Sequence, residues 1–154
     1  MRARAGSRRV PRLVREILVH APPERVFAAL VEPGQRARWI ASMRLVDVGG
    51  ARLAVGARVE GRRTAATSRS VYHMTVRRLE PARLLEMDVE RNDAPAGKGG
   101  YELAPAPEGT RVRAFAEYEL KGLQKLAGPL VAQGMEDELR VDLASLKRFV
   151  EATP

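Results

Sequence analysis

Three tyrosines and one aspartate are the residues of this chain best suited to acid–base chemistry. Tyr72, Tyr101 and Tyr118 each fall on the inward side of a segment that reads as a strand, and Asp142 falls among Met135, Leu139 and Leu146 on the apolar stripe of a helical segment. A phenol facing a carboxylate whose pKa is raised by burial can enolise a carbonyl and hold the oxyanion that forms. Tyr118 and Asp142 are the candidate catalytic residues on this reasoning. Glu138 lies at the edge of the same stripe, and Arg63 joins them if Val59 points inward. The same residue types also serve structure: a helix-stripe aspartate ordinarily accepts from a backbone amide or an arginine, and a strand tyrosine anchors packing with its hydroxyl at a rim.

Other chemistries lack material. The chain has no cysteine, which excludes disulfides, thiolate nucleophiles and cysteine-ligated metals. Its two histidines, His20 and His73, are far apart and offer no metal-ligand spacing, so no metal site is expected. Gly97, Gly99 and Gly100 have neither the spacing nor the following helix of a phosphate-binding loop. No cofactor is therefore expected.

The elements that must position these residues can be read in order. Arg12 to His20 alternates, with Leu13, Ile17 and Val19 on one face, and reads as a strand. Ala21-Pro22-Pro23 stops it, and Pro23 followed by Glu24 suits a helix start. Val26, Phe27 and Leu30 give that helix an apolar stripe until Pro33-Gly34 breaks it. A second short helix spans Gln35 to Ala41 and presents Trp39 and Ile40. Strands follow over Met43–Val48, Ala57–Arg63, Ser70–Leu79, Leu85–Val89, Lys98–Leu103 and Thr110–Leu120. Turns at Glu80–Arg83 and Pro105–Gly109 and a loop over Asn92–Gly97 separate the later ones. Tyr72, Met74 and Val76 face one way, and His73, Thr75 and Arg77 the other. In the last strand Val112, Ala114, Ala116, Tyr118 and Leu120 oppose Arg111, Arg113, Glu117 and Glu119, with Phe115 the exception. One apolar and one charged face predict an antiparallel sheet covered on one side. The covering element is a helix from about Leu123 to Val150. Its stripe begins with Leu123, Leu126, Ala127, Leu130 and Val131, and continues through Met135, Leu139, Leu143, Leu146 and Val150. Gly128-Pro129 predicts a kink or break in it.

Composition bounds the rest. A chain of 154 residues is most simply one domain, here 12–151, long enough to remove roughly 70% of its unfolded surface from water. Residues 1–15 hold six arginines and no acid, so six of the eight net positive charges lie there. Residues 1–11 read as a flexible basic tail. Such a tail can make weak contact with an anionic surface, but the charge is not organised as a face for sequence-specific nucleic acid. No run approaches the roughly 18 apolar residues that span a bilayer, and the basic N-terminus lacks the apolar core of a secretory signal. A cytoplasmic location is the expectation. The sequence does not separate a monomer from a homodimer.

The whole pattern resembles a known family. The strand leading into Ala21-Pro22-Pro23-Glu24-Arg25-Val26-Phe27, the short helix ending near Arg38-Trp39, and Val55-Gly56-Ala57-Arg58-Val59 all match in order. So do the Leu79-Glu80-Pro81 turn, Glu108-Gly109-Thr110-Arg111-Val112, and the closing Asp142–Glu151 helix. Over about residues 12–151 the chain resembles the START-like (SRPBCC) superfamily in its polyketide cyclase/dehydrase-like branch. The resemblance implies a helix-grip α+β fold: a curved seven-stranded antiparallel sheet wrapped around a long C-terminal helix, with two short helices after the first strand and a hydrophobic pocket between sheet and helix. Family functions range from lipid and sterol carriers to hormone receptors, chaperone activators and aromatic polyketide cyclases, so fold does not decide function.

Inward-facing residues expected to line such a pocket are Trp39, Tyr72, Met74, Met87, Tyr101, Tyr118, Leu130, Met135 and Leu139. Thioethers adapt to irregular apolar shapes, and Trp39 sits where the family places a helix near the mouth, as a lid or a plug. Few charges face inward, which favours binding or transport of a hydrophobic small molecule such as a lipid, isoprenoid or polyketide. The alternatives are a metal-free cyclase or dehydratase, and a protein-interaction module using the basic tail.

Overall fold

In the computed structural model, the described residues are 12–46, 50–64, 69–93, 95–120, 125 and 128–152. The expected tail of residues 1–11 and Leu123, Leu126 and Ala127 of the expected last helix lie outside this set, as do Asp47 and Val48 of the expected second strand.

Seven strands form one antiparallel sheet. They are β1 (Arg12–Val19), β2 (Arg44–Val46), β3 (Arg58–Thr64), β4 (Arg69–Glu80), β5 (Leu84–Arg91), β6 (Gly97–Ala106) and β7 (Gly109–Tyr118). Their order across the sheet is β1-β7-β6-β5-β4-β3-β2. β2 to β7 is thus a meander, and β1 closes on its last strand. The chain leaves one edge at β1 and re-enters at the opposite edge as β2, so the connection between them must cross the sheet. That connection carries α1 (Pro23–Val31) and α2 (Pro33–Trp39).

Proline chemistry sets both helices. Pro23 and Pro33 each occupy a first helical turn, where a missing N–H costs nothing. Glu32, held extended at ψ 113° by the following proline, ends α1 and begins α2. The expected break at Pro33-Gly34 is therefore also a start, and α2 begins two residues earlier than the sequence suggests. β6 also runs past its expected end. Its pairing with β5 stops at Glu102, so Pro105, paired only with β7, meets no strand on its other side.

The alternation read from the sequence is the alternation of burial. Tyr72, Met74, Val76, Leu85, Met87, Tyr101, Leu103, Val112 and Ala114 join Val26, Phe27, Leu30 and Trp39 in one core. The opposite face carries cross-strand ion pairs such as Arg113–Glu16, Arg12–Glu117 and Arg77–Asp88. Phe115, the exception on that face, is buried with the Arg12 guanidinium 4.5 Å above its ring. Backbone packing excludes a side chain at some glycines. A Cβ at Gly100 would collide with the Leu85 carbonyl, and Gly109 combines φ +150° with close approach to the Val19 carbonyl.

The closing helix α3 runs from Gly128 to Ala152. Pro129 lies in its first turn, so it marks a start and not a kink in the described helix. The C-terminal half buries Asp142, Leu143, Leu146 and Val150, whereas no residue of 128–141 is fully buried. Leu130, expected on the inner stripe, is 76% exposed. Three contacts fasten the C-terminal half to β1 and α1. Lys147 donates to the Leu18 carbonyl at 2.7 Å, the His20 amide donates to Glu151 at 2.8 Å, and Arg25 donates to the Val150 carbonyl at 2.9 Å.

Candidate functional site

Between the inner sheet face and α3 lies a cavity of about 100 Å³. Period-2 alternation supplies its floor: Tyr72 and Met74 from β4, Met87 and Val89 from β5, and Tyr101 from β6. Helical periodicity supplies its roof, Met135, Glu138, Leu139 and Asp142. Arg36 from α2 and Ile40, Ser42 and Met43 beyond it form one wall. The surface is mostly apolar, with polar groups in two clusters.

The first cluster clamps the middle of α3 to the sheet. Glu138 accepts from Arg91 at 3.1 and 3.3 Å, from Arg63 at 3.1 Å and from the Tyr72 hydroxyl at 3.4 Å. The Arg91 side chain is only 6% exposed, lies 4.4 Å from the centre of the Tyr72 ring, and also donates to Asp93 at 3.1 Å. Asp93 accepts in turn from Ser70. Burial and the negative charge of Glu138 push the Tyr72 phenol up to about 12, against the opposing pull of Arg91 and Arg63. A phenol so placed stays protonated at neutral pH and acts as a donor.

The second cluster joins α3 to the end of α2. Asp142 Oδ1 accepts from the Ala41 and Ser42 amides, both at 2.8 Å, and Oδ2 from the Ser42 hydroxyl at 2.7 Å. Burial nevertheless holds this carboxyl above its ordinary range; the hydrogen bonds and the Arg36 charge oppose that rise without cancelling it. Tyr101 is pushed upward as well, by burial and then by the Asp142 charge, with Arg36 acting the other way. Arg36 itself is 3% exposed. Its NH1 points at the Met87 sulfur at 3.6 Å, a weak acceptor, and its Nε meets no acceptor.

Of the residues expected to line the pocket, Tyr72, Met74, Met87, Tyr101, Met135 and Leu139 do so, and Trp39, Tyr118 and Leu130 do not. Trp39 is buried, donates its ring N–H to the Ala29 carbonyl at 2.7 Å, and stands edge-on to Tyr101 with ring centres 6.2 Å apart. It plugs the core beneath the cavity wall. The tyrosine that senses the Asp142 charge is Tyr101, whereas Tyr118 is buried at the far end of β7. Sequence reasoning passed over Arg36, Ser42 and Arg91. Arg91 was findable, because it continues the inward parity of Leu85, Met87 and Val89. Arg36 and Ser42 carry no such signal, being placed by the turn between helix and strand.

A second hollow, about 490 Å³, is walled by Pro33, Leu45, Leu53, Ala57 and Val59, with Arg58, Glu60 and His73 also at its surface. Met74 belongs to the walls of both. Among the described residues no group of three or more His, Asp or Glu side chains gathers as a metal site, and no helix is long and apolar enough to cross a membrane.

The model of the family described as "Polyketide cyclase / dehydrase and lipid transport" matches residues 11–151. No curated protein matches. Among solved structures, a protein from Mesorhizobium loti superposes with a TM-score of 0.73 at 21% identity, covering 94% of this chain and 99% of that one. A Chromobacterium violaceum protein gives 0.73 at 18%, covering 91% and 97%. DynU16, a protein of the dynemicin biosynthetic locus, gives 0.70 at 20%, covering 91% of this chain but 47% of its own. Likeness at these identities shows a shared fold.

Proposed function

The chain belongs to the polyketide cyclase/dehydrase and lipid transport family, and from that premise we propose that it binds and carries an apolar small molecule between its sheet and α3. The ligand class is a lipid, an isoprenoid or a polyketide-like molecule. One observation carries this reading over catalysis: the carboxylates at the cavity are already engaged. Glu138 is shared among two arginines and a tyrosine, Asp142 holds two backbone amides and a serine hydroxyl, and Glu117, the third carboxylate of the lining, pairs with Arg12 at 3.3 Å. A general base must reach the proton it removes, and all three carboxylates are oriented by other partners. The remaining wall, rich in Met and Tyr, suits apolar burial at about 25 cal/mol per Å² before ordering costs.

The cavity is smaller than the roughly 300–1,000 Å³ of common ligand sites, so a ligand of lipid size requires expansion. Two features provide for it. Met74 stands between the cavity and the larger hollow, and a thioether changes rotamer at low cost. Most of the roof, Met135, Glu138 and Leu139, belongs to the half of α3 that buries no residue completely, and segments with few buried contacts open most readily.

A second reading, cyclisation or dehydration of a poly-ketone, is favoured by the raised Asp142 carboxyl acting on Tyr101 beside the Arg36 cation. Native mass spectrometry of the purified protein, followed by denaturing extraction, tests the carrier reading. A defined apolar adduct is expected. A protein that stays empty when offered fatty acids, isoprenols and aromatic polyketides overturns it. Turnover of a poly-ketone that survives Asp142→Asn removes the catalytic role of Asp142.

A further inference from the structure

We propose that Arg36 is the polar anchor of the cavity and that the ligand carries a carboxylate which docks on it. This rests on the binding reading above and specifies the chemistry of the ligand head. Arg36 is 97% removed from solvent by its 3% exposure and lines the cavity wall. Its Nε is the buried side-chain nitrogen or oxygen that finds no hydrogen-bond partner among the described residues. Its NH1 is directed at a thioether sulfur. A buried N–H without an acceptor is costly, and more so on a charged group, so a guanidinium kept in this position calls for an oxygen that arrives from outside the fold.

The nearby carboxylate does not supply that oxygen. Asp142 acts on Arg36 through its charge, but its hydrogen bonds go to Ala41 and Ser42. These bonds hold it to the turn, so Arg36, a residue of the cavity wall, keeps an Nε with no acceptor. A carboxylate accepts from adjacent guanidinium N–H groups in parallel, the strongest pairing available to arginine. A phosphate dianion fits less well. It brings two charges and more oxygens than one guanidinium edge can satisfy, and of the other cations lining the cavity Arg91 is already paired with Glu138, while Lys98 stands on β6. Around Arg36 the walls are Met87, Met74, Tyr101 and Leu139. The complementary molecule therefore has one carboxylate at one end and an apolar, unsaturated or aromatic body.

Three probes of one shape test this: trans-cinnamate, trans-cinnamamide and β-methylstyrene, titrated into the full-length protein by calorimetry at constant ionic strength. Cinnamate is expected to bind at least tenfold more tightly than β-methylstyrene, with the amide between them. Arg36→Met is expected to abolish that preference while retaining the hydrocarbon. Should that variant not fold, the wild-type protein decides alone: the Arg36 Nε–H resonance is expected to shift on adding cinnamate and to stay put with β-methylstyrene. If all three probes bind equally and the Nε–H resonance is unmoved, the anchor is refuted while the apolar cavity stands. If none binds, the anchor is refuted, and the apolar cavity stands or falls with the mass-spectrometric test above.

Discussion

Replacing Asp142 separates a structural carboxylate from a catalytic one, and its effect can be worked out from the hydrogen bonds. Asp142→Ala strips the acceptor from the Ser42 amide, the Ser42 hydroxyl and the Ala41 amide. Hydrogen bonds to charged groups contribute about 1.5–3 kcal/mol each. Ala41 is exposed and recovers a bond to water, and removing a buried carboxylate relieves its desolvation, so the net loss is about 3 kcal/mol. For a chain of this size that corresponds to a fall in Tm of roughly 6–12 °C. Asp142→Asn behaves differently. Its amide oxygen still accepts from both backbone N–H groups, and its amide nitrogen donates to a Ser42 hydroxyl that turns to accept, so the loss is about 1 kcal/mol or less. The two proteins also diverge with pH. Folding raises the Asp142 pKa above 3.8, so the native state holds the proton more tightly than the unfolded chain. The contribution of the aspartate to stability is then complete below pH 3.8 and is lost as pH rises through the raised value. Asparagine does not titrate, so the advantage of the wild type over Asp142→Asn is expected to shrink from about pH 4 towards pH 7. Urea unfolding followed by circular dichroism across that range measures it. A wild-type advantage that is flat with pH, or an Asp142→Ala protein that melts with the wild type, refutes this account of a buried, hydrogen-bonded carboxyl.

The Glu138 clamp and the β6–β7 turn give two further expectations. Glu138→Ala leaves Arg63 and the nearly buried Arg91 without their shared carboxylate, with an expected loss of about 2 kcal/mol. Hydrogen exchange is expected to accelerate over residues 128–141 and to stay slow over 142–150; a uniform acceleration contradicts the division of α3 into a loose and a fixed half. Gly109→Ala forces a side chain into φ +150° against the Val19 carbonyl, and is expected to cost about 2 kcal/mol or more in chemical unfolding. A loss below about 0.5 kcal/mol, the level of an ordinary surface change, counts against that strain.

Much of the fold was legible because period-2 and period-3.6 patterns report which way a side chain points. Tyr72, Met74, Met87 and Tyr101 were placed inward by parity alone, and Arg91 was readable by the same rule. Pro23 marks a helix start as expected, whereas Pro33, expected as a stop, also begins α2, and Pro129, expected as a kink or break, lies in the first turn of α3. Periodicity gives the angle of a side chain about its element; it does not say where along that element a neighbour begins or ends. Leu130 shares a stripe with Leu139 and Leu146, yet it projects 76% exposed at a helix end that the sheet does not cover. Tyr118 and Tyr101 both face inward, but only Tyr101 lies level with Asp142.

Element order, the covered face of the sheet and the residue types available to a pocket are legible in the residues alone, because those follow from local steric and solvation preferences. Which groups are already engaged and which are not depends on the packed fold. Asp142 meets Ser42 from 100 positions away, and Arg36 lies in a polar-looking stretch yet is 3% exposed. A hydrogen bond or its absence depends on positions set to within a fraction of an ångström by the whole packed core, and no local pattern carries that information.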